Sequence, residues 1–156
     1  MLDHILMPTD GSELSRKAID YGMALATSVE ARVTVLTVTA PFHFFAVEPS
    51  MVADTLDQYE ARMAAAATKI LEVAKESAAA AGIACDTLHV EHEHPYRAII
   101  HTAEQKSCDL IIMASHGRRG IAAVVLGSET VKVLTHSTIP VLIYRAPHRP
   151  AFSIET

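Results

Sequence analysis

Two patterns alternate along the chain: short β-branched or wholly apolar runs, and longer stretches whose apolar residues recur at three and four positions. His4-Ile5-Leu6-Met7 is apolar and stops at Pro8, so it predicts a first strand. A helix follows, capped by Ser12 or Asp10, with Ala18, Tyr21, Gly22, Leu25 and Ala26 on its inner face. Arg32 to Thr39 is strongly β-forming and predicts the second strand. After a proline- and phenylalanine-bearing loop, an Ala-rich helix runs from about Met51 to Ala81. Cys85 to Glu91 predicts a third strand, and Pro95 fits the first turn of a helix ending near Lys106. Asp109 to Ala114 is apolar enough for a strand covered on both faces. Ser128 to His136 predicts the last helix and Ile139 to Tyr144 a fifth strand, with a loose proline-bearing tail from Ala146.

Strand–helix alternation on this scale predicts one α/β domain: a doubly wound parallel sheet of five strands, helices on both faces. Right-handed crossovers favour the order 3-2-1-4-5. That order reverses the chain's progress between strands one and four, where ligands of such sheets collect beyond the carboxyl ends. The ends are Pro8-Thr9-Asp10 and Ala114-Ser115-His116-Gly117.

Composition narrows the partners. Of 156 residues, 50% are hydrophobic and 20% charged, as in a packed globular domain. A formal net charge of −5 argues against duplex nucleic acid or an anionic membrane, which recruit clustered cations. Cys85 and Cys108 have neither metal-ligand spacing nor a disulfide framework. Asp3, His4, Pro8 and Asp10 interrupt any leader-like apolar run, and no membrane-spanning run is present, so the expected address is cytoplasmic.

The segment after strand four, ASHGRRGIAAVVLGSETVKVL, carries the chemistry. Gly117 opens a loop that Gly127 and Ser128 close, and a helix begins there. Glycines admit close approach or positive φ, and a helix N-terminus aims unpaired N–H groups at an anion. Ser128 either caps the helix or bonds a phosphate oxygen, and Arg118 and Arg119 would add charge-assisted bonds. There is no Walker A sequence and no GxGxxG after strand one. Gly127-Ser128 is also what a plain turn and cap would look like.

The chain resembles the universal stress protein family from about Leu2 to Arg145. The resemblance is carried by PTDGSE after strand one, by Gly117-x9-Gly127-Ser128, and by the closing IPVLIYR. The nucleotide-binding branch of that family reads G-x2-G-x9-G-[S/T]. It implies an adenine nucleotide alpha hydrolase-like fold over residues 1–146 and a stress-linked homodimer that binds ATP or AMP, with Mg²⁺ bridging the phosphates. Asp10 would lie near ribose and adenine, and the backbone at Val38 would contact the base. Pro8, Thr9, Met113, Ala114, His116, Gly117, Arg118, Arg119, Gly127, Ser128 and Glu129 complete the implied nucleotide set. Two residues depart from the pattern: Ala114 replaces the first glycine, and Glu129 follows Ser128. Ala114 obstructs only if its φ must be positive, and Glu129 is expected to compete with phosphate for the helix N–H groups.

His116 either donates to a phosphate or is an exposed loop histidine. His89, His92 and His94 invite a metal reading, but alternation puts His89 on the opposite side from the other two, without a third ligand. Phe42, Phe44 and Phe45 read first as packing under the long helix, with a partner surface or a lid over the adenine as the alternatives. Three functional classes stay open: a regulatory nucleotide-binding module, a slow ATPase or phosphotransferase, and a nucleotide-free protein acting through contacts. The apolar strand Ile139–Tyr144, at the sheet edge, is the expected dimer interface.

Overall fold

The computed structural model describes residues 1–42, 56–117 and 125–147. Among the described residues five strands and four helices alternate: β1 (His4–Pro8), α1 (Glu13–Val29), β2 (Arg32–Thr39), α2 (Leu56–Ala81), β3 (Cys85–Glu91), α3 (Pro95–Gln105), β4 (Leu110–Ala114), α4 (Ser128–His136) and β5 (Val141–Tyr144). The strands form one parallel sheet in the order β3-β2-β1-β4-β5, as the alternation predicts.

Side-chain alternation along the central strands sends residues to two cores. Ile5, Met7, Val33, Val35 and Ile112 pack with Ile19 and Met23 of α1 and Leu71 and Ala74 of α2. Leu6, Leu36, Ile111 and Met113 pack on the other face with Ile99 of α3 and Val133 of α4. Every residue of β1 and β4 is buried, which is why these strands read as unbroken apolar runs.

Several boundaries and faces differ from expectation. Pro8 is the last residue of β1 rather than its stop: it pairs with Leu36, and the next residue resumes donation through Thr9 N–H to Leu36 C=O at 2.8 Å. The cap of α1 is Ser12, whose Oγ accepts from Ser15 N–H at 3.2 Å, while Asp10 Oδ1 accepts from Ser12 N–H. The buried face of α1 uses Ile19 and Met23; Tyr21 turns outward, 48% exposed, with its ring 5.7 Å from that of Tyr144. β5 begins at Val141, not Ile139, because Ser137 Oγ closes a local turn by donating to Ile139 C=O and accepting from Ile139 N–H. The expected start of the long helix at Met51, like Phe44 and Phe45, lies outside the described residues. Phe42 meets Tyr59 of α2 edge-on, with centroids 5.2 Å apart.

Both cysteines are free, and burial pushes the Cys85 thiol up and that of Cys108 to about 11. Among the described residues no helix is long and apolar enough to cross a membrane.

Candidate functional site

β1 and β4 lie side by side, and the turns leaving their carboxyl ends meet at the reversal point of the sheet. The turn after β1 is knitted by hydroxyls. Thr9 Oγ1 lies 2.9 Å from Ser15 Oγ and accepts from Gly11 N–H at 3.1 Å, and Thr37 Oγ1 donates to Thr9 C=O at 3.1 Å. These bonds present Asp10 at the rim. Its Oδ2 lies against Gly117, so a Cβ at that glycine would push the Asp10 carboxylate aside. β1 pairs with β2 no further than Leu36, so Val38, half-buried, projects beyond it and pairs only with Val90 of β3.

The β4 side is held just as closely. Met113, Ala114 and Ser115 are buried, and Ser115 N–H donates to Tyr144 C=O at 2.8 Å. Ala114 keeps the negative φ of a strand residue, so the methyl that replaces the family's first glycine strains no backbone. His116 is half-buried, its Nδ1 3.2 Å from Ser115 Oγ.

Where the loop returns, Gly127 N–H donates to Ser115 C=O at 2.7 Å. Gly127 has φ −61°, an ordinary value for any residue. What requires glycine here is contact: a Cβ would sit 3.1 Å from His116 Cα and 3.4 Å from Ser115 O. The spacing expected to admit a phosphate is thus also needed for the loop to close on β4.

α4 starts directly after Gly127, which occupies the cap position and offers no side-chain bond. Ser128 is therefore the first helical residue rather than the cap. Its hydroxyl is exposed and makes no hydrogen bond among the described residues. The amides of Ser128, Glu129 and Thr130 likewise have no acceptor there, as befits a first turn whose cap brings no oxygen. Thr130 Oγ1 donates to Ala114 C=O at 3.1 Å, fastening this turn to the end of β4.

Glu129 does not fold back over those amides as expected. Its Oε2 accepts from Tyr96 N–H in the first turn of α3 at 2.9 Å, and Lys132 Nζ donates to its Oε1 at 3.0 Å. The carboxylate is drawn to the positive end of a neighbouring helix instead of its own. Arg118 and Arg119 lie outside the described residues.

The histidines in and after β3 bond to neighbours in the fold. His89 Nε2 is 2.8 Å from Thr39 Oγ1, and His92 Nδ1 accepts from His94 N–H at 2.8 Å. Among the described residues no three His, Cys, Asp or Glu side chains converge as metal ligands would. The sequence reading missed the Glu129–Tyr96 bond and the Thr130 anchor. The only sequence signal for the first was Lys132 three residues after Glu129, a spacing that pairs opposite charges on one helix face.

A universal stress protein family model matches residues 1–145. The universal stress protein YxiE of Bacillus subtilis is 33% identical over 160 residues, spanning 93% of this chain and 100% of that protein. Among solved structures, hypothetical protein MJ0577 of Methanocaldococcus jannaschii is similar with a TM-score of 0.81 at 27% identity, covering 96% of this chain and 99% of that one. A universal stress protein in complex with cAMP is similar with a TM-score of 0.68 at 25% identity, covering 92% and 97% of the two chains. Likeness in sequence and in fold thus runs nearly end to end, and the chain belongs to the universal stress protein family.

Proposed function

We propose that this chain is a stress-linked regulatory protein that binds an adenine nucleotide, ATP or AMP, across the carboxyl ends of β1 and β4. The observation that carries the reading is the first turn of α4: three amides and the Ser128 hydroxyl that meet no partner among the described residues, set beside the reversal point of the sheet. Phosphate oxygens are the natural acceptors for such a group. Asp10 and the projecting end of β2 at Val38 lie on the other side of the crevice, where ribose and base would rest. The cAMP complex of a relative at 25% identity supports the same ligand class. The described residues offer no set of three carboxylate or imidazole ligands, so Mg²⁺ would be held through the phosphates of ATP. Binding would act by shifting the chain between partner states with different nucleotide affinity.

Calorimetry of the purified full chain against ATP, AMP and adenosine tests this. The expected result is saturable binding of at least one phosphate-bearing ligand, tighter than adenosine. No heat from any of the three up to millimolar concentration would remove the reading.

The same chain would form a homodimer through its fifth strand. β5 pairs only with β4, and its other edge has no strand partner among the described residues. On the adjacent helix α4, Val131 and Leu134 are 45% and 41% exposed. A two-fold partner covers an edge and such a patch together. Leu142 packs against the α1/α2 core, so a charge there would disturb the fold itself. Val131→Glu with Leu134→Glu is the cleaner test, expected to shift the mass seen by light scattering from dimer to monomer. A wild-type monomer at micromolar concentration would overturn the interface.

A further inference from the structure

We infer that Glu129 is a positioning residue for the phosphate end of the site: its carboxylate ties the first turn of α4 to the first turn of α3, and so fixes where the donors at Ser128 point. The inference rests on the nucleotide reading proposed above.

A carboxylate directly after Ser128 has two uses open to it. Turned back over its own helix, it would cover the amides an anion needs and repel a phosphate. The structure takes the other course, with Oε2 on Tyr96 N–H at 2.9 Å and Oε1 on Lys132 Nζ at 3.0 Å. Tyr96 N–H is the donor α3 has to spare. Pro95 has none, Arg97 and Ala98 N–H turn back to His94 C=O, and His94 gives no side-chain cap. A bond from a helix N-terminal amide to a carboxylate is charge-assisted, and roughly twice as strong as a neutral one. Lys132 answers the charge on its far side and stands 5.5 Å from the Tyr96 ring, so the contact is packed as well as bonded.

The neighbours of Ser128 explain why this contact bears on the ligand. Gly127 is bonded to Ser115 C=O and Thr130 to Ala114 C=O, both at the end of β4. Those two anchors lie along one strand end, and Val133 seats the body of the nine-residue helix in the core, so its first turn is held from the β4 side alone. Glu129 adds the third point, off that line and on another helix. With it the turn is fixed in three directions, and Ser128, between the anchored residues, presents its hydroxyl outward. Losing the third point would misplace the donors to phosphate while Asp10 and Val38 keep their places.

The experiment uses the full chain with E129A, E129Q and K132M. Calorimetry is run with AMP, ATP and adenosine, together with amide hydrogen exchange at Tyr96. E129A is expected to lower AMP and ATP affinity about tenfold, leave adenosine within about twofold, and speed exchange at Tyr96. E129Q keeps an acceptor for Tyr96 N–H and should recover most of the loss. K132M, a surface change, should give a smaller loss with the same selectivity, and it carries the comparison should E129A fail to fold. An equal loss for adenosine in a folded variant overturns the inference, because that is what a merely structural role would give. Tighter ATP binding by E129A also overturns it, since the carboxylate would then be repelling phosphate. Wild type that binds nucleotide no better than E129A sinks the inference alone. Wild type that binds none of the three ligands sinks the nucleotide reading and this inference with it.

Discussion

The two edges of the sheet handle their polar groups in opposite ways. At the amino edge, Asp109 accepts from both Asp3 N–H and His4 N–H through Oδ2, at 2.8 and 3.0 Å, and its own N–H donates to His4 C=O. The His4 ring is buried with both nitrogens engaged, Nδ1 3.0 Å from Lys106 C=O and Nε2 2.8 Å from Thr34 Oγ1. Lys106 Nζ reaches Asp86 at 3.7 Å. At the carboxyl edge, Gly127, Glu129 and Thr130 are anchored while the Ser128 hydroxyl and three amides make no bond to any described residue. Unmet donors grouped on a fixed frame are what an external anion requires. On the proposed reading one edge serves stability and the other recognition, and each can be broken separately.

The largest effect is expected at the amino edge. His4→Ala leaves Lys106 C=O and the Thr34 hydroxyl without their partner and opens a small cavity, at a cost of roughly 2–4 kcal/mol. Urea unfolding should show that loss while nucleotide affinity is unchanged in the folded fraction. The same site gives the protein an acid limit. Burial holds the His4 pKa below its ordinary 6.5, with Arg32 and Lys106 pushing the same way against the Lys106 carbonyl and Asp86. The unfolded chain then takes up a proton near 6.5 that the folded chain refuses. Stability should therefore fall as pH drops from about 6.5 toward the lowered value, and His4→Ala should flatten that slope. The amides of Asp3 and His4 hold the Asp109 carboxyl low, so its contribution persists to more acid pH and is lost below the ordinary carboxylate range. A wild-type stability that is level between pH 7 and 5.5 would contradict the role given to His4.

Gly127→Val comes next and strikes the carboxyl edge. A Cβ there meets His116 Cα at 3.1 Å, so the loop must shift, with strain of about 1–3 kcal/mol. Both stability and nucleotide affinity should drop, since the same shift displaces the first turn of α4. Lost affinity at full stability would mean that the side chain merely blocks the ligand and that the His116 contact relaxes freely.

How much of this was legible in the sequence depends on how local each cause is. The bounds of β2 and α4 could be read directly, because β-branching and the Gly-Ser junction act within a few residues. So could the sheet order, which follows from crossover handedness once the alternation is seen. The inner face of α1 could not, since Tyr21 and Ile19 flank the row Ala18, Gly22, Ala26 on opposite sides and only packing with Met7 and Ile112 decides which flank is buried. The place of the site came from topology, but the duty of Glu129 did not, because its acceptor role is met 33 residues away at Tyr96. Gly127 was recognised for its spacing, whereas the contact with His116 that demands glycine belongs to tertiary structure.

The smallest effect expected is also the most selective. Ser128 is the first residue of α4, exposed, with a hydroxyl that no described residue bonds, so Ser128→Ala removes nothing the fold uses. Alanine is also the better helix former, and stability should stay within about 0.5 kcal/mol of wild type. If the hydroxyl donates to a phosphate, its loss should cost about 0.5–1.5 kcal/mol, a weakening of a few-fold to about tenfold. That loss should appear for AMP and ATP and be absent for adenosine, which has no phosphate to receive the bond. Calorimetry with the three ligands on wild type and variant reads the difference directly. An adenosine loss equal to that of AMP would put the hydroxyl on the ribose side of the crevice. An unchanged AMP affinity would leave the amides of α4 to hold the phosphate by themselves, and the serine of the motif would then matter only as a small residue at the start of a helix.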